Sequence, residues 1–428
     1  MISKIRIYFL FIILLLTFDE SNASCVDGEV NYTKESLTAS NDCTAIFVRD
    51  KEEKTITINS GITVTDFDGK KPLNINKGSA GTTVINNGSL IETRSTTVIL
   101  VGRNSTVELF ENNGTISGSK GIKMVNRTGA GANWGHIKVF TNTGTLKQTR
   151  DIPDPTDDNA AIWLNVWGKI TELNNSGSIR SSWQTINNFG IIENFNNTGT
   201  ISTDKDDDGT VDNGKAIVNA RDTETPASWY ADQSFDKRKI GTLTNSGTIE
   251  ATVNTIHNTG LIETINNSGN ITATGNRAIY NKNENDGRNY GEIDTLINSG
   301  TISAGSHAIH NTGTITTITN TGTIESTGSG YSIKNEGVIT NLTNSKGASG
   351  STLTYTGTVP TNYNIIINSA SDFGKIAFTS ITGSLNFNVD SESELAGGTT
   401  YSSIMTGISS GSISGQSGSH LNLSLIHI

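Results

Sequence analysis

From residue 84 to residue 345 the chain repeats one arrangement of apolar and polar positions. Units begin at Val84, Phe110, Phe140, Leu173, Phe195, Leu243, Ile265, Leu296, Ile318 and Leu342. The spacings are 26, 30, 33, 22, 48, 22, 31, 22 and 24 residues, so 22 is the base length and the rest is insertion. The third position is Asn every time: Asn86, Asn112, Asn142, Asn175, Asn197, Asn245, Asn267, Asn298, Asn320 and Asn344. The seventh is aliphatic, from Leu90 and Ile116 to Ile302 and Ile324. A third apolar column is Ile186, Ile217, Ile256, Ile279, Ile309 and Ile333, and a second Asn column follows two residues later at Asn188, Asn219, Asn258, Asn281, Asn311 and Asn335.

No helical period fits these columns. Short β-branched runs broken by Gly predict strands and turns. At ~3.3 Å per residue, 22 residues trace ~70 Å, enough for one turn of a three-sided coil. Stacked ~4.8 Å apart, such turns predict an all-β solenoid, a right-handed parallel β-helix or a close relative. Each coil then buries its aliphatic columns against the coils on either side. Asn at one level of every coil is expected to bond to the Asn above and below, as amide ladders do in stacked strands. The ladder expectation rests on Asn175, Asn197, Asn245, Asn267, Asn298 and Asn320 in particular. Gly of the Asn-x-Gly turns is expected to supply positive φ at the corner.

Composition fits a long thin core rather than a round one. Of 428 residues, 33% are hydrophobic, 17% are charged and 45 are Gly. The net charge of −10 opposes nucleic acid as a partner, since phosphate binding needs a basic face. Residues 1–23 read as a secretory signal, with Lys4 and Arg6 before an apolar run from Ile7 to Phe18 and small residues up to Ala23. The only cysteines, Cys25 and Cys43, are close together at the start of the exported chain and are expected to form one disulfide. Residues 24–83 lack the repeat and read as an N-terminal cap. Residues 346–422 read as less regular final coils, and 423–428 as the in-frame translation of a sequencing adapter.

Candidate chemistry is confined to insertions. Asp204, Asp206, Asp208 and Asp212 match D-x-D-x-D-G-x-x-D, a spacing that can wrap Ca²⁺, although Lys215 replaces the acid at the twelfth position. An acidic solvated loop is the other reading. Asp151, Asp154, Asp157 and Asp158 form a second acidic loop without a recognisable ligand spacing. Trp229, Tyr230 and Phe235 lie in the longest insertion, as a ligand-binding loop or as rings folded over the coil. His257 and His310 share an outward column with Tyr280 and Lys334, two coils apart and too distant to share a metal ion, so the column reads as a tolerant surface.

A signal peptide, early cysteines and tandem N-[ST]-G-T-I units resemble the passenger region of bacterial autotransporters. Residues 363–389 (YNIIINSASDFGKIAFTSITGSLNFNV) and 399–410 (TTYSSIMTGISS) resemble the segment that in this group precedes the membrane barrel. The resemblance implies export through an outer-membrane translocator barrel of the same full-length chain. It further implies display at the surface of a Gram-negative cell, or release from it, as a non-catalytic, adhesin-like or structural stalk. Surface glycans or proteins are the partners it implies. The alternatives are a secreted β-helix polysaccharide lyase or hydrolase, for which the loop carboxylates are the raw material, and a self-assembling surface-layer protein.

Overall fold

The computed structural model of the chain describes residues 25–49, 53–76, 78–94, 96–124, 135–149, 160–165, 168–204, 213–220, 239–283 and 291–417. Residues 1–23, read from sequence as a secretory signal, and residues 423–428 lie outside them.

Three long parallel sheets form the walls of a β-helix. Each coil contributes one strand to each wall in turn, giving sheets of 15, 15 and 11 strands. One coil reads, in chain order, Lys215–Asn219 in the first sheet, Lys239–Asn245 in the second and Thr248–Ala251 in the third. Register survives insertion. Asn197 pairs with Asn245 across a 48-residue unit just as Asn245 pairs with Asn267 across 22. A strand pair recognises only its neighbour, so extra residues between strands leave the columns in place.

The columns predicted from sequence are fully buried: Phe195, Leu243 and Ile265 in the second sheet, Ile201, Ile249 and Ile271 in the third, Ile217, Ile256 and Ile279 in the first. A fourth apolar column also faces in, including Ile192, Ile240, Ile262, Ile293 and Ile315. Strict alternation misses it because the seven-residue strands bury their second, fifth and seventh residues, as in Lys169–Asn175. Two consecutive residues, Thr171 and Glu172, face out where that strand bends.

Two amide ladders run along the interior. In the longer one, each Nδ2 donates to the Oδ1 of the next Asn: Asn175 to Asn197, Asn197 to Asn245, Asn245 to Asn267 and Asn267 to Asn298 at 2.8 Å each, then Asn298 to Asn320 at 2.9 Å. The same bond runs from Asn86 up to Asn344. The rung positions beyond its ends hold Ile58 and Ile365. The second ladder links Asn188, Asn219, Asn258, Asn281, Asn311 and Asn335 in the same direction. The direction is uniform because each amide must both accept and donate along the axis, and one reversal would set two donors or two acceptors face to face.

The turn glycines work differently from expectation. None of Gly114, Gly144, Gly177, Gly199, Gly247, Gly269, Gly300 or Gly322 has a positive φ. Each is needed for close approach: a Cβ at Gly269 would collide with the carbonyl oxygen of Gly247 in the preceding coil, and the same holds along the row. The preceding Asn carbonyl accepts two bonds from each new turn, Ser268 N at 2.8 Å and Gly269 N at 3.0 Å on Asn245 O. That double bond draws the turns together until no side chain fits.

The described residues between 25 and 83, read from sequence as an N-terminal cap, belong to the same three sheets as the repeat. The first coils occupy them, with strands Asn31–Thr33, Leu37–Ala39 and Cys43–Thr44, then Ile46–Arg49, Lys54–Ile58 and Thr63–Thr65. The ladder Asn is missing there because Ala39 and Ile58 fill its position, and Asn59-Ser60-Gly61 stands one residue out of register. A disulfide joins Cys25 to Cys43. Asn31 adds side-chain bonds to Val26 N at 2.7 Å and Val26 O at 2.8 Å, holding the incoming chain over the first coil.

The third sheet stops at Thr323–Ser326, and the other two continue to Met405–Thr406 and Ile413–Ser417. Larger rings, Tyr355, Tyr363, Phe378 and Phe387, fill these last coils. Burial raises both tyrosine phenols well above their ordinary range.

Candidate functional site

The three walls differ on their outer faces. On the second sheet a typical outward file is Asn174, Asn196, Thr244, Asn266, Ile297 and Thr319; on the third it is Arg180, Ser202, Glu250, Thr272, Ser303 and Glu325. On the first sheet the file runs Trp163, Asn187, Val218, His257, Tyr280, His310, Lys334. Rings therefore collect on the first wall, whereas lysines of the second, Lys138, Lys169 and Lys239, are paired with glutamates.

The local sequence explains why. The five-residue strands Asn254–Asn258, Arg277–Asn281 and His307–Asn311 turn their third and fifth residues, Ile and Asn, into the core. Their second residues, Thr or Ala, are also buried because only a small side chain fits at that bend. The first and fourth positions are left on the outer face, so Arg277 stands beside His307 and Tyr280 beside His310 across one coil step.

The rings pack against one another. Tyr280 stacks on His310 with centroids 5.0 Å apart and meets His257 in a tilted contact at 5.2 Å. His307 meets His310 edge-on at 5.6 Å and stacks on Tyr331 at 5.9 Å. The Arg277 guanidinium lies 4.4 Å over the Tyr280 ring, a cation–π contact. His310 Nε2 is 2.9 Å from Glu336, which also takes Lys334 at 3.0 Å. The file is thus a built stack rather than a tolerant surface, and His310 is only 5% exposed.

Electrostatics keep the imidazoles neutral. Burial holds His257 down to about 3, helped by the positive charges of Lys215, Lys282 and Arg277. Burial also holds His307 down to about 4, with His310, Lys334 and Arg277 acting in the same direction. His310 is lowered by burial against the opposing hydrogen bond to Glu336. Glu336 is lowered chiefly by its bonds to His310 and Lys334, so it is ionised at neutral pH. Arg277 has no carboxylate partner among the described residues, and its Nε is buried without a hydrogen-bond partner, as are both ring nitrogens of His257.

The sequence-predicted acidic loop is only partly placed. Asp204 ends the turn after Thr200–Ser202, is buried, and faces Arg180 Nη1 at 3.5 Å. Asp206, Asp208 and Asp212 lie outside the described residues, as do Asp151, Asp154, Asp157, Asp158, Trp229, Tyr230 and Phe235. Among the described residues no group of three or more His, Cys, Asp or Glu is arranged to hold a metal ion.

Connectivity gives the first sheet a second distinction. The long segments 125–134, 150–159, 205–212, 221–238 and 284–290 each begin or end next to one of its strands. The second and third sheets are joined in the repeat by the two-residue x-Gly turn, which leaves no room for insertion. Sequence reading located His257, Tyr280, His310 and Lys334 in one file but missed Arg277, His307, Tyr331 and Glu336. The signal for Arg277 and His307 was present: both stand three residues before a ring of that file. Tyr331 and Glu336 lie in turns, where column spacing says nothing. No protein-family model, curated protein or solved structure matches the chain.

Proposed function

We propose that the chain is an exported autotransporter passenger, displayed at the surface of a Gram-negative cell as a rigid, non-catalytic stalk that presents its first sheet for adhesion. The observation that carries this is the one-sidedness of an otherwise uniform solenoid. Packed aromatic and imidazole rings with an Arg free of any carboxylate partner among the described residues gather on the first sheet, while on the second the lysines Lys138, Lys169 and Lys239 are paired with glutamates. Fourteen steps between fifteen strands of the first sheet, at ~4.8 Å each, give a rod of about 65–70 Å. Nearest-neighbour stacking suits delivery through a narrow pore, because each coil needs only the previous one as a template. The single disulfide lies in the first coil, so the rest of the chain can pass a pore without crosslinks. The partner in secretion is a translocator barrel in the same full-length chain, and glycans or proteins of another surface are the partners in adhesion.

Protease treatment of intact source cells tests the proposal, with an antibody to residues 291–417 as the readout. Display predicts loss of the antigen while a cytoplasmic marker survives. Antigen that resists until the cells are lysed would overturn it.

A further inference from the structure

We infer that the ring stack on the first sheet is a binding site for an acidic polysaccharide, a chain of sugar rings bearing uronate or sulfate groups. The inference deepens the adhesive reading and rests on it, though not on display at the cell. Three features select this ligand.

The first is shape. Tyr280 and His310 lie on successive rungs of one file, with ring centroids 5.0 Å apart, and His257 continues the file at 5.2 Å from Tyr280. Because the rings face one another along the file, a linear ligand lying along the axis meets a ring edge at each step of ~4.8 Å. The Tyr280 phenol and the His307 imidazole are hydrogen-bonding groups suited to the hydroxyl and acid oxygens of a sugar chain.

The second is charge. Arg277 lies over the Tyr280 ring at 4.4 Å and has no carboxylate partner among the described residues. Its planar fork is the side chain best suited to a carboxylate or sulfate. Lys334 and Arg277 both push the neighbouring His307 toward its neutral form, which marks a local positive field in a chain of net charge −10. The imidazoles add hydrogen-bonding capacity without charge, and His257 and Arg277 each hold buried polar atoms without a partner.

The third is backbone. The stack sits in the middle of a fifteen-stranded sheet, where every strand is already paired on both sides. A peptide seeking to add a strand finds no edge here. A nucleic acid also stacks and carries charge, but the chain's overall acidity and Glu336 inside the patch oppose it.

The test is calorimetric titration of the full chain with polygalacturonate, dextran sulfate and neutral dextran, with oligo(dT) as a further titrant. Binding of either anionic polymer, with neutral dextran at least about tenfold weaker, is expected, and the two anionic arms separate uronate from sulfate recognition. Arg277→Gln should weaken that binding about tenfold or more while leaving the circular dichroism spectrum unchanged. Should it fold poorly, Lys334→Gln reads the same patch from two rungs further along. Lys138→Gln removes an exposed charge from the second sheet, where Lys138 pairs with Glu108, and should leave affinity intact. Equal losses for Lys138→Gln and Arg277→Gln, tighter binding of oligo(dT), or no binding of either anionic polymer would each overturn the inference. A chain shed by protease from intact cells that binds none of these polymers refutes this inference alone and leaves the stalk reading standing.

Discussion

Replacing a ladder asparagine by isoleucine should cost more in the middle of the ladder than at its start. Asn267 accepts from Asn245 Nδ2 at 2.8 Å and donates to Asn298 Oδ1 at 2.8 Å. In Asn267→Ile both bonds vanish and Asn298 Oδ1 becomes a buried acceptor without a donor. Asn86 is different. Its Oδ1 is already unpartnered, because Ile58 occupies the rung before it. Asn86→Ile therefore moves the orphan from Asn86 to Asn112 without adding one. The gain from burying isoleucine is common to both variants, since both sites are fully buried. What remains is one amide–amide bond and one new orphan, so Asn267→Ile should be the worse by about 1–3 kcal/mol. Ile58 and Ile365 in the same column indicate that the side chain fits the rung. A solenoid need not unfold in one step, so the readout is amide hydrogen exchange at the mutated rung and its two neighbours, each variant against wild type. Equal losses at the two sites, or no loss at Asn267, would refute the idea that polar satisfaction is counted rung by rung.

Gly269→Ala forces a methyl group against the Gly247 carbonyl and should destabilise by at least ~2 kcal/mol, whereas Gly350→Ala, with nothing near, should stay within about 0.5 kcal/mol in urea titrations. Similar midpoints for the two variants would contradict the close-approach account. Replacing Cys25 and Cys43 together by Ser removes a crosslink spanning 18 residues and should cost the first coil about 3 kcal/mol, seen as faster exchange over 31–44 and unchanged exchange beyond Asn86. Unaltered exchange over 31–44 would show that the coil holds without it. Stability should also depend on pH through the buried histidines. His257, His307, His310 and His136 are all lowered, so below about pH 6.5 the unfolded chain takes up protons that the folded chain refuses. Their contribution is complete above that pH and falls as the pH drops toward about 4 and then about 3, the values of His307 and His257. Urea midpoints between pH 8 and pH 4 measure this; His257→Phe should flatten the fall, and an equal fall in that variant would exclude His257 as a cause.

Much of the fold was legible because the constraint is local and repeated. A parallel stack needs the same residue type at the same level in every coil, so the columns led by Val84, Leu90 and Ile186 and the amide files state the architecture directly. Where the rung is apolar the Asn column is broken, and residues 24–83 looked foreign although Ile56, Ile58 and Val64 continue the same walls. The fourth apolar column was hidden by a bend that shifts alternation by one residue. The glycines were correctly read as turn residues, but their reason was misplaced, since a φ preference belongs to one residue and a collision belongs to two coils.

The sequence by itself determined the coil, the columns and the Asn rungs, because periodicity records what each rung demands of its neighbours. Only the tertiary structure decided which wall became the distinctive one. Arg277, His307, Tyr331 and Glu336 are brought to the Tyr280–His310 stack by coil-to-coil register and by turns, and the packing that neutralises those imidazoles exists only once the rungs are assembled.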